Sequence, residues 1–423
     1  MQITNIKIKD LKEYDKNART HPKKQIDLLS KNIEEFGFTT PVLIDKENNI
    51  IAGHGRILAM KQLGKDEVPC VRLENLNDEQ VKALRLADNQ ISNMSDWDMN
   101  LVVEELKGLS NEMLDLTGFE KDLIIEPDEK DDEVPETPEE HKSKLGDLYE
   151  LGRHRLLCGD STKIDDVEKL MGDAHSEMLF TSPPYADMRD YNGGKDLSVD
   201  NLSNFITTFA PFCEHQVINL GIKRDNHEIV SYWDDYIAKA RMNEYKFLAW
   251  NVWAKSSAGS VGNQSSFIPI THEWIFVFGR TFKDINRVEK RKTEIKKNRK
   301  ERAVRQADGS MSVSSVGEQG YLKEMESVYF SNPELGGIRK LHPATFPVEL
   351  ADKYIRSITN EMDNVIDPFT GSGTTLIACE KSHRRFYGME LDPKYVDVIV
   401  QRYVDYTGNN KIKLNGKEII WQK

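Results

Sequence analysis

Between Asn364 and Thr375 the chain reads Asn-Val-Ile-Asp-Pro-Phe-Thr-Gly-Ser-Gly-Thr-Thr, and few folds can use that order. An apolar run ends on an acid, breaks into a glycine-rich turn and resumes as a helical pattern at Leu376, Ile377 and Ala378. A strand feeding a glycine turn and a helix N-terminus makes a cofactor cradle, because unpaired backbone N–H groups and the helix dipole face the ligand. Gly371 and Gly373 suit such a turn: they accept positive φ and let a ligand come close to the backbone. Taken alone, the stretch reads equally well as an ordinary loop between strand and helix.

A second stretch tips that balance. Glu177-Met-Leu-Phe is a short apolar strand, and Thr181-Ser182-Pro183-Pro184-Tyr185 follows it. Two consecutive prolines cannot continue a strand interior or a helix, so the chain must turn out at the sheet edge. Their fixed φ values aim the local carbonyls. One such carbonyl and the Ser182 hydroxyl can accept both hydrogens of a single NH2 group. Tyr185 offers a flat face on which a planar base can stack. An exocyclic amine on a nucleobase is a poor nucleophile because its lone pair is delocalised into the ring. Rigid acceptors on both N–H bonds favour a pyramidal nitrogen that can attack a methyl group, without a strong base.

The rest of the chain divides by composition. Its 423 residues suffice for two or three domains. Residues 1–120 read as a small α/β unit with trailing helices, 121–144 as an acidic disordered linker, and 145–423 as a larger α/β domain. The front unit repeats the glycine-turn device at Gly53-His54-Gly55-Arg56, with Arg56 as a charged hand for an anion and His54 as either a ligand or a solvent-facing turn residue. No apolar run approaches a membrane span, and the N-terminus has no signal-peptide core, which points to the cytoplasm. The four cysteines are widely spaced and form no Cys-x-x-Cys pair, so neither a zinc knuckle nor a disulfide framework is expected. His272-Glu273 lacks the second histidine of a metalloprotease helix and reads as structural; no metal is expected.

The formal net charge of -12 does not argue against DNA, because the signs are segregated. Glu126 to Glu140 is acidic and Arg280 to Arg305 is basic. The basic run, including Lys290, Arg291, Lys292, Lys296, Lys297, Arg299 and Lys300, is either a solvated charged helix or a DNA-backbone contact.

Together, Asp367-Pro-Phe-x-Gly-x-Gly and Ser182-Pro-Pro-Tyr resemble the β class of S-adenosylmethionine-dependent DNA amino-methyltransferases, over Leu145 to about Gly408. The resemblance implies a Rossmann-like domain with a mostly parallel twisted sheet flanked by helices. The catalytic motif comes first, then a target-recognition insertion at about 255–335 that holds the basic run, then the cofactor loop. Ser182, Pro183, Pro184 and Tyr185 then carry catalysis. Asp367, Pro368, Phe369, Gly371, Gly373 and Thr374 form the S-adenosylmethionine loop. Glu390, with Leu391, takes the ribose, and Asp160 meets the adenine end. Thr181 and the His342-Pro343-Ala-x-Phe346-Pro347 motif complete the cofactor site. Ser before Pro-Pro-Tyr favours cytosine N4 over adenine N6, and the base must be flipped out of the duplex to reach it. Related Pro-Pro-Tyr enzymes that act on glutamine place the cofactor loop first, the reverse of this order.

Asn17-Ala-Arg19-Thr-His21, Pro41-Val-Leu-Ile, Gly53-His54-Gly55-Arg56 and Leu86-Ala-Asp-Asn resemble the N-terminal domain of ParB-like proteins, related to the sulfiredoxin fold. That resemblance implies a nucleotide site (CTP or ATP) at Arg19, Gly53, His54, Gly55 and Arg56, although His54 replaces the family's usual acid. It leaves open a second reading, a nucleotide-gated DNA-binding protein in which methylation is secondary. The chain carries no nuclease motif, which fits an orphan enzyme or one half of a restriction-modification pair; a homodimer is compatible with either.

Overall fold

Apolar strands that run almost without interruption can be buried on both faces only inside a parallel sheet covered by helices. The computed structural model places five such strands side by side. It describes residues 2–12, 21–92, 97–119, 121–126, 128–184, 202–255, 270–290, 301–305, 311–315, 322–331 and 346–422. The chain forms two units, Met1–Ile124 and Ile125–Lys423.

In the first unit, β1 (Ile3–Lys7), β2 (Val42–Asp45), β3 (Ile50–Ala52) and β4 (Glu67–Leu73) make a mixed sheet in the order β1-β4-β2-β3. Val42, Ile44, Ile50, Val68 and Cys70 form its core with Ile57. Helices α1 (Lys23–Phe36) and α2 (His54–Gln62) accompany the sheet. Three further helices follow, α3 (Asp78–Ser92), α4 (Met99–Lys107) and α5 (Asn111–Thr117).

The second unit is built on an 11-stranded sheet. It begins with a hairpin, β5 (Leu148–Leu151) and β6 (His154–Cys158), then α6 (Ile164–Met171) and β7 (Ser176–Thr181). Next come α7 (Phe205–Phe209), β8 (Cys213–Leu220), a small hairpin of β9 (Lys223–Asp225) and β10 (Glu228–Val230), and α8 (Trp233–Met242). Strands β11 (Lys246–Lys255) and β12 (His272–Gly279) follow. Two short ribbons pair β13 (Glu289–Lys290) with β16 (Leu322–Lys323) and β14 (Glu301–Arg305) with β15 (Met311–Ser315). The chain returns to the sheet with β17 (Val328–Ser331), α9 (Val348–Ile358), β18 (Asn364–Asp367), α10 (Thr374–Lys381) and β19 (Arg385–Glu390). It finishes with α11 (Pro393–Thr407), β20 (Lys411–Leu414) and β21 (Lys417–Ile420).

The strand order is β17-β11-β12-β8-β7-β18-β19-β6-β5-β20-β21. The central five, β8 to β6, are parallel. Outside them β12 runs antiparallel to β8 and β5 antiparallel to β6, so the sheet is mixed rather than mostly parallel. One face carries α9, α10 and α11 through Tyr354, Leu376 and Ile399. The other carries α6, α7 and α8 through Val167, Phe205 and Tyr236.

This topology fixes where a ligand belongs. From β7 the chain crosses by α7 to β8, away from β18. From β18 it crosses by α10 to β19, away from β7. The two helices lie on opposite faces, so the carboxyl ends of β7 and β18 open a crevice at the point where the strand order reverses.

The segment expected to be a disordered acidic linker contains ordered structure. Asp128 caps a 3-10 turn over Glu129–Asp132 in a reciprocal capping box with Asp131. Asp131 is only 4% exposed. Its carboxylate pairs with Lys381 and accepts from the Tyr406 hydroxyl. Its backbone carbonyl accepts from Arg402 at 2.7 Å. Farther on, Lys142 and Ser143 donate backbone N–H groups to Asp397. Composition counted the acids of this segment without the distant cations that order them.

Candidate active site

Thr181 ends β7 and Asp367 ends β18, and a hydrogen bond joins them: Thr181 Oγ1 donates to Asp367 Oδ1 at 2.7 Å. The Ser182-Pro-Pro strand end and the glycine-rich loop, some 186 residues apart in sequence, therefore meet in the crevice. Asp367 is 1% exposed. It also accepts from Thr375 Oγ1 at 2.6 Å and from the Phe369 N–H at 3.1 Å. Burial pushes its carboxyl up to about 6, against the pull of those donors. A carboxylate has roughly four acceptor positions, so three donors leave Asp367 mainly holding the loop in shape.

Past Asp367 the loop turns as its glycines allow. Gly371 has φ +56° and Gly373, the N-cap of α10, has φ +86°. A Cβ on Gly373 would also stand 3.3 Å from Ile399. Pro368 starts the turn, and the Phe369 ring packs edge-on against Phe205. Thr374 is buried, and its hydroxyl accepts from Arg402 at 3.4 Å.

Glu390 ends the neighbouring strand. Its Oε2 accepts from Gly371 N at 2.9 Å and its Oε1 from Asp392 N at 3.0 Å. Each oxygen keeps a further lone pair, a match for the two hydroxyls of a ribose. Crowding by protein atoms pushes the carboxyl up to about 7, yet the side chain keeps a partly exposed edge for a ligand. Leu391 beside it is 51% exposed. One strand farther, Gly159 N donates to Glu390 O, which places Asp160 next in the row. Asp160 Oδ1 accepts from Thr162 N and Oγ1, closing a tight turn.

On the α9 side of β7, Phe346 packs edge-on against Phe180 at 5.2 Å, and Pro347 is the N-cap of α9. That half of the motif thus sits against the strand that delivers Ser182. His342, Pro343 and Tyr185 lie outside the described residues, as do Arg19, Arg291, Lys292, Lys296, Lys297, Arg299 and Lys300; of Lys290 only the backbone is described. Ser182, Pro183 and Pro184 leave the sheet edge as their sequence requires.

Two features were not visible in sequence. Asn219, at the end of β8, donates from Nδ2 to Ser182 Oγ at 3.3 Å and to Glu273 Oε2 at 2.7 Å. The start of the basic run is engaged in the fold: Arg280 donates to the Cys213 and Ala210 carbonyls, Lys283 pairs with Glu177, and Arg287 with Glu324. No signal in the pattern separates these cations from the rest of the run.

In the front unit, Gly53 has φ +106° as the N-cap of α2, and Arg56 Nη1 donates to Thr40 O at 2.7 Å. His54 is the first residue of that helix, and a Cβ on Gly55 would stand 3.1 Å from the His21 ring. Among the described residues no helix is long and apolar enough to cross a membrane, and no cluster of three metal-type side chains occurs.

A doubly wound α/β domain with a glycine-turned cofactor strand beside a Ser-Pro-Pro strand end is the class of nucleotide-cofactor transferases that act on exocyclic amines. The sequence model of the DNA methylase family matches residues 177–401, and that of the ParB N-terminal domain matches residues 1–90. The chain belongs to the N6/N4 DNA methylase family: it is an S-adenosylmethionine-dependent DNA methyltransferase with a ParB-like domain in front. The orphan methyltransferase M.BamHII of Bacillus amyloliquefaciens is 28% identical over 265 residues, covering 59% of this chain and 97% of that protein. The ParB-like nuclease domain-containing protein YnaK of Escherichia coli (strain K12) is 45% identical over 80 residues, covering 19% of this chain and 92% of that protein. Among solved structures, the cytosine-N4-specific PvuII DNA methyltransferase aligns over 60% of this chain and 86% of its own, with 18% identity and a TM-score of 0.40.

Proposed function

We propose that the enzyme methylates the N4 amine of a cytosine flipped out of duplex DNA. The observation that carries this reading is the Thr181–Asp367 hydrogen bond, which joins the Ser182 strand to the cofactor loop at the switch crevice. Ser182 Oγ and the carbonyls set by Pro183 and Pro184 take the two N–H bonds of the target amine, and Tyr185 stacks on the base. The cradle residues fit the donor. Glu390 holds the ribose hydroxyls through its two remaining lone pairs, Asp160 the adenine end, and the Gly371–Thr374 turn the amino-acid part. His342, Pro343, Phe346 and Pro347 close over it, with Thr181, Pro368, Phe369 and Leu391 shaping the walls. When bound, the donor supplies a sulfonium methyl whose transfer leaves a neutral thioether, while the amine proton departs to solvent. The protein's contribution is alignment of the amine with that methyl, worth several orders of magnitude in rate without a strong base.

Serine in front of the double proline favours cytosine over adenine. Mass analysis of nucleosides from plasmid DNA incubated with enzyme and donor tests this: N4-methylcytosine is expected. N6-methyladenine alone overturns the base assignment, and no methylated base at all overturns the reading.

The front unit supports a second activity, gating by CTP or ATP. Its basis is the Gly53 turn with the Arg56 guanidinium folded over it, a cationic helix N-terminus suited to phosphate, with His54 and Gly55 in the same motif and Arg19 supplied by the separate Asn17–His21 stretch. The full-length enzyme should then bind duplex DNA with an affinity that CTP or ATP changes in the absence of methyl donor. Equal affinities with and without nucleotide end this second reading.

A further inference from the structure

Asn219 is 1% exposed, and both hydrogens of its amide are committed, one to Ser182 Oγ and one to Glu273 Oε2. A carboxylate only accepts, so Glu273 dictates which end of the amide is NH2; the flipped amide would press oxygen against oxygen at 2.7 Å. Lys255, from β11, pairs with Glu273 and supplies the opposite charge. The Asn219 Oδ1 that results is buried and has no hydrogen-bond partner among the described residues. An unsatisfied buried acceptor is a cost that calls for an explanation in a folded protein, and a working site is one.

We propose that Asn219 is a positioning residue for methyl transfer. Its N–H occupies one lone pair of Ser182 Oγ and so aims the other at the target amine. Glu273 and Lys255 act through it by holding the amide in one orientation. The inference rests on the reading of Ser182 as the amine's acceptor. It adds a chain of three residues from β8, β12 and β11 to a site otherwise built from β7, β18, β19 and β6. Glu273 thus has a role that the failure of His272-Glu273 to match a metal motif conceals.

The test measures single-turnover methyl transfer, donor Kd and Tm on full-length enzyme. Asn219→Ala should slow transfer about 100-fold, the cost of roughly an ångström of misplacement, with donor Kd and Tm close to wild type. Glu273→Gln, which lets the amide turn over, should slow transfer about tenfold alone and add nothing in the Asn219→Ala background, as for residues acting through one another. If Asn219→Ala does not fold, Asn219→Ser takes its place in the same cycle. Ser182→Ala separates the failures. If Ser182→Ala is inactive while Asn219→Ala keeps wild-type rate, or if the two losses simply multiply, the positioning role is wrong and the site reading stands. If Ser182→Ala keeps wild-type rate, the site reading fails and takes the inference with it.

Discussion

Gly371 donates its backbone N–H to Glu390 Oε2 at 2.9 Å, so the glycine-rich loop after β18 and the acid one strand away share a single geometry. Burial raises the Glu390 carboxyl to about 7, and the bonds from Asp392 and Gly371 only partly oppose it. A raised folded pKa means the group favours folding fully below its unfolded value and loses that contribution as pH climbs through about 7. The ribose hydroxyls that Glu390 is proposed to hold prefer the ionised form, which accepts two hydrogen bonds. Donor affinity should therefore strengthen between about pH 6 and about pH 8, by at most about tenfold per unit for one proton. Calorimetric titration of the donor at constant ionic strength measures this. Glu390→Gln should bind more weakly and show a flat profile; an unchanged slope in that variant would assign the titration elsewhere.

Gly388 sits in β19 where a side chain has no room. A Cβ there would fall 2.0 Å from the Phe386 ring and 2.6 Å from Thr370 Oγ1. Phe386 is fully buried, and Thr370 N bonds Met389 O, so neither neighbour moves cheaply. Gly388→Ala should cost about 1–3 kcal/mol by overpacking and should weaken donor binding as the loop is pushed away. Urea unfolding and donor titration of the same variant check both; wild-type values in the two would show that the strand yields freely.

Asp131 carries the clearest lesson about what sequence alone conveys. The strand–turn–helix at Asp367, the Ser182-Pro-Pro exit, the terminal acid Glu390 and the order of the motifs were all legible, because each is written in a few adjacent residues whose backbone demands are local. Asp131 was not. Its partners Lys381 and Arg402 lie about 250 and 271 positions away, and an acidic run looks the same whether its counter-ions are water-borne or buried. Asn219 escaped for a similar reason: one asparagine at a strand end has no local signature, and only the pairing of β8 with β7 brings it to Ser182. The outer antiparallel strands were likewise hidden, since strand direction is set by long-range pairing.

The same residue yields a stability prediction. Lys381 is largely buried and Asp131 is its carboxylate partner. Asp131→Ala leaves that cation uncompensated, which should destabilise the methyltransferase unit by about 3 kcal/mol. Arg402 also bonds Ser372 O at 2.9 Å, so the disturbance should reach the cofactor loop and lower donor affinity. Chemical denaturation followed by intrinsic fluorescence reports the first effect. A loss within the range of ordinary surface substitutions would return the segment to the status of a tether.

The basic run divides into two parts that should respond differently to neutralisation. Arg280 stacks over Tyr245 at 4.8 Å while its guanidinium ties two backbone carbonyls, so Arg280→Ala should lower stability and leave DNA binding's salt dependence unchanged. Lys292, Lys296 and Lys297 fall in the proposed recognition interval, where phosphate contact is the expected use. Each of these lysines replaced by glutamine should reduce the slope of log K against log salt by about 0.9, since one fewer counterion is released from the duplex. Anisotropy of a labelled duplex across a salt series distinguishes the two halves. A slope that stays at its wild-type value in the triple lysine variant would make that part of the run a solvated charged surface, and DNA contact would have to come from another face of the enzyme.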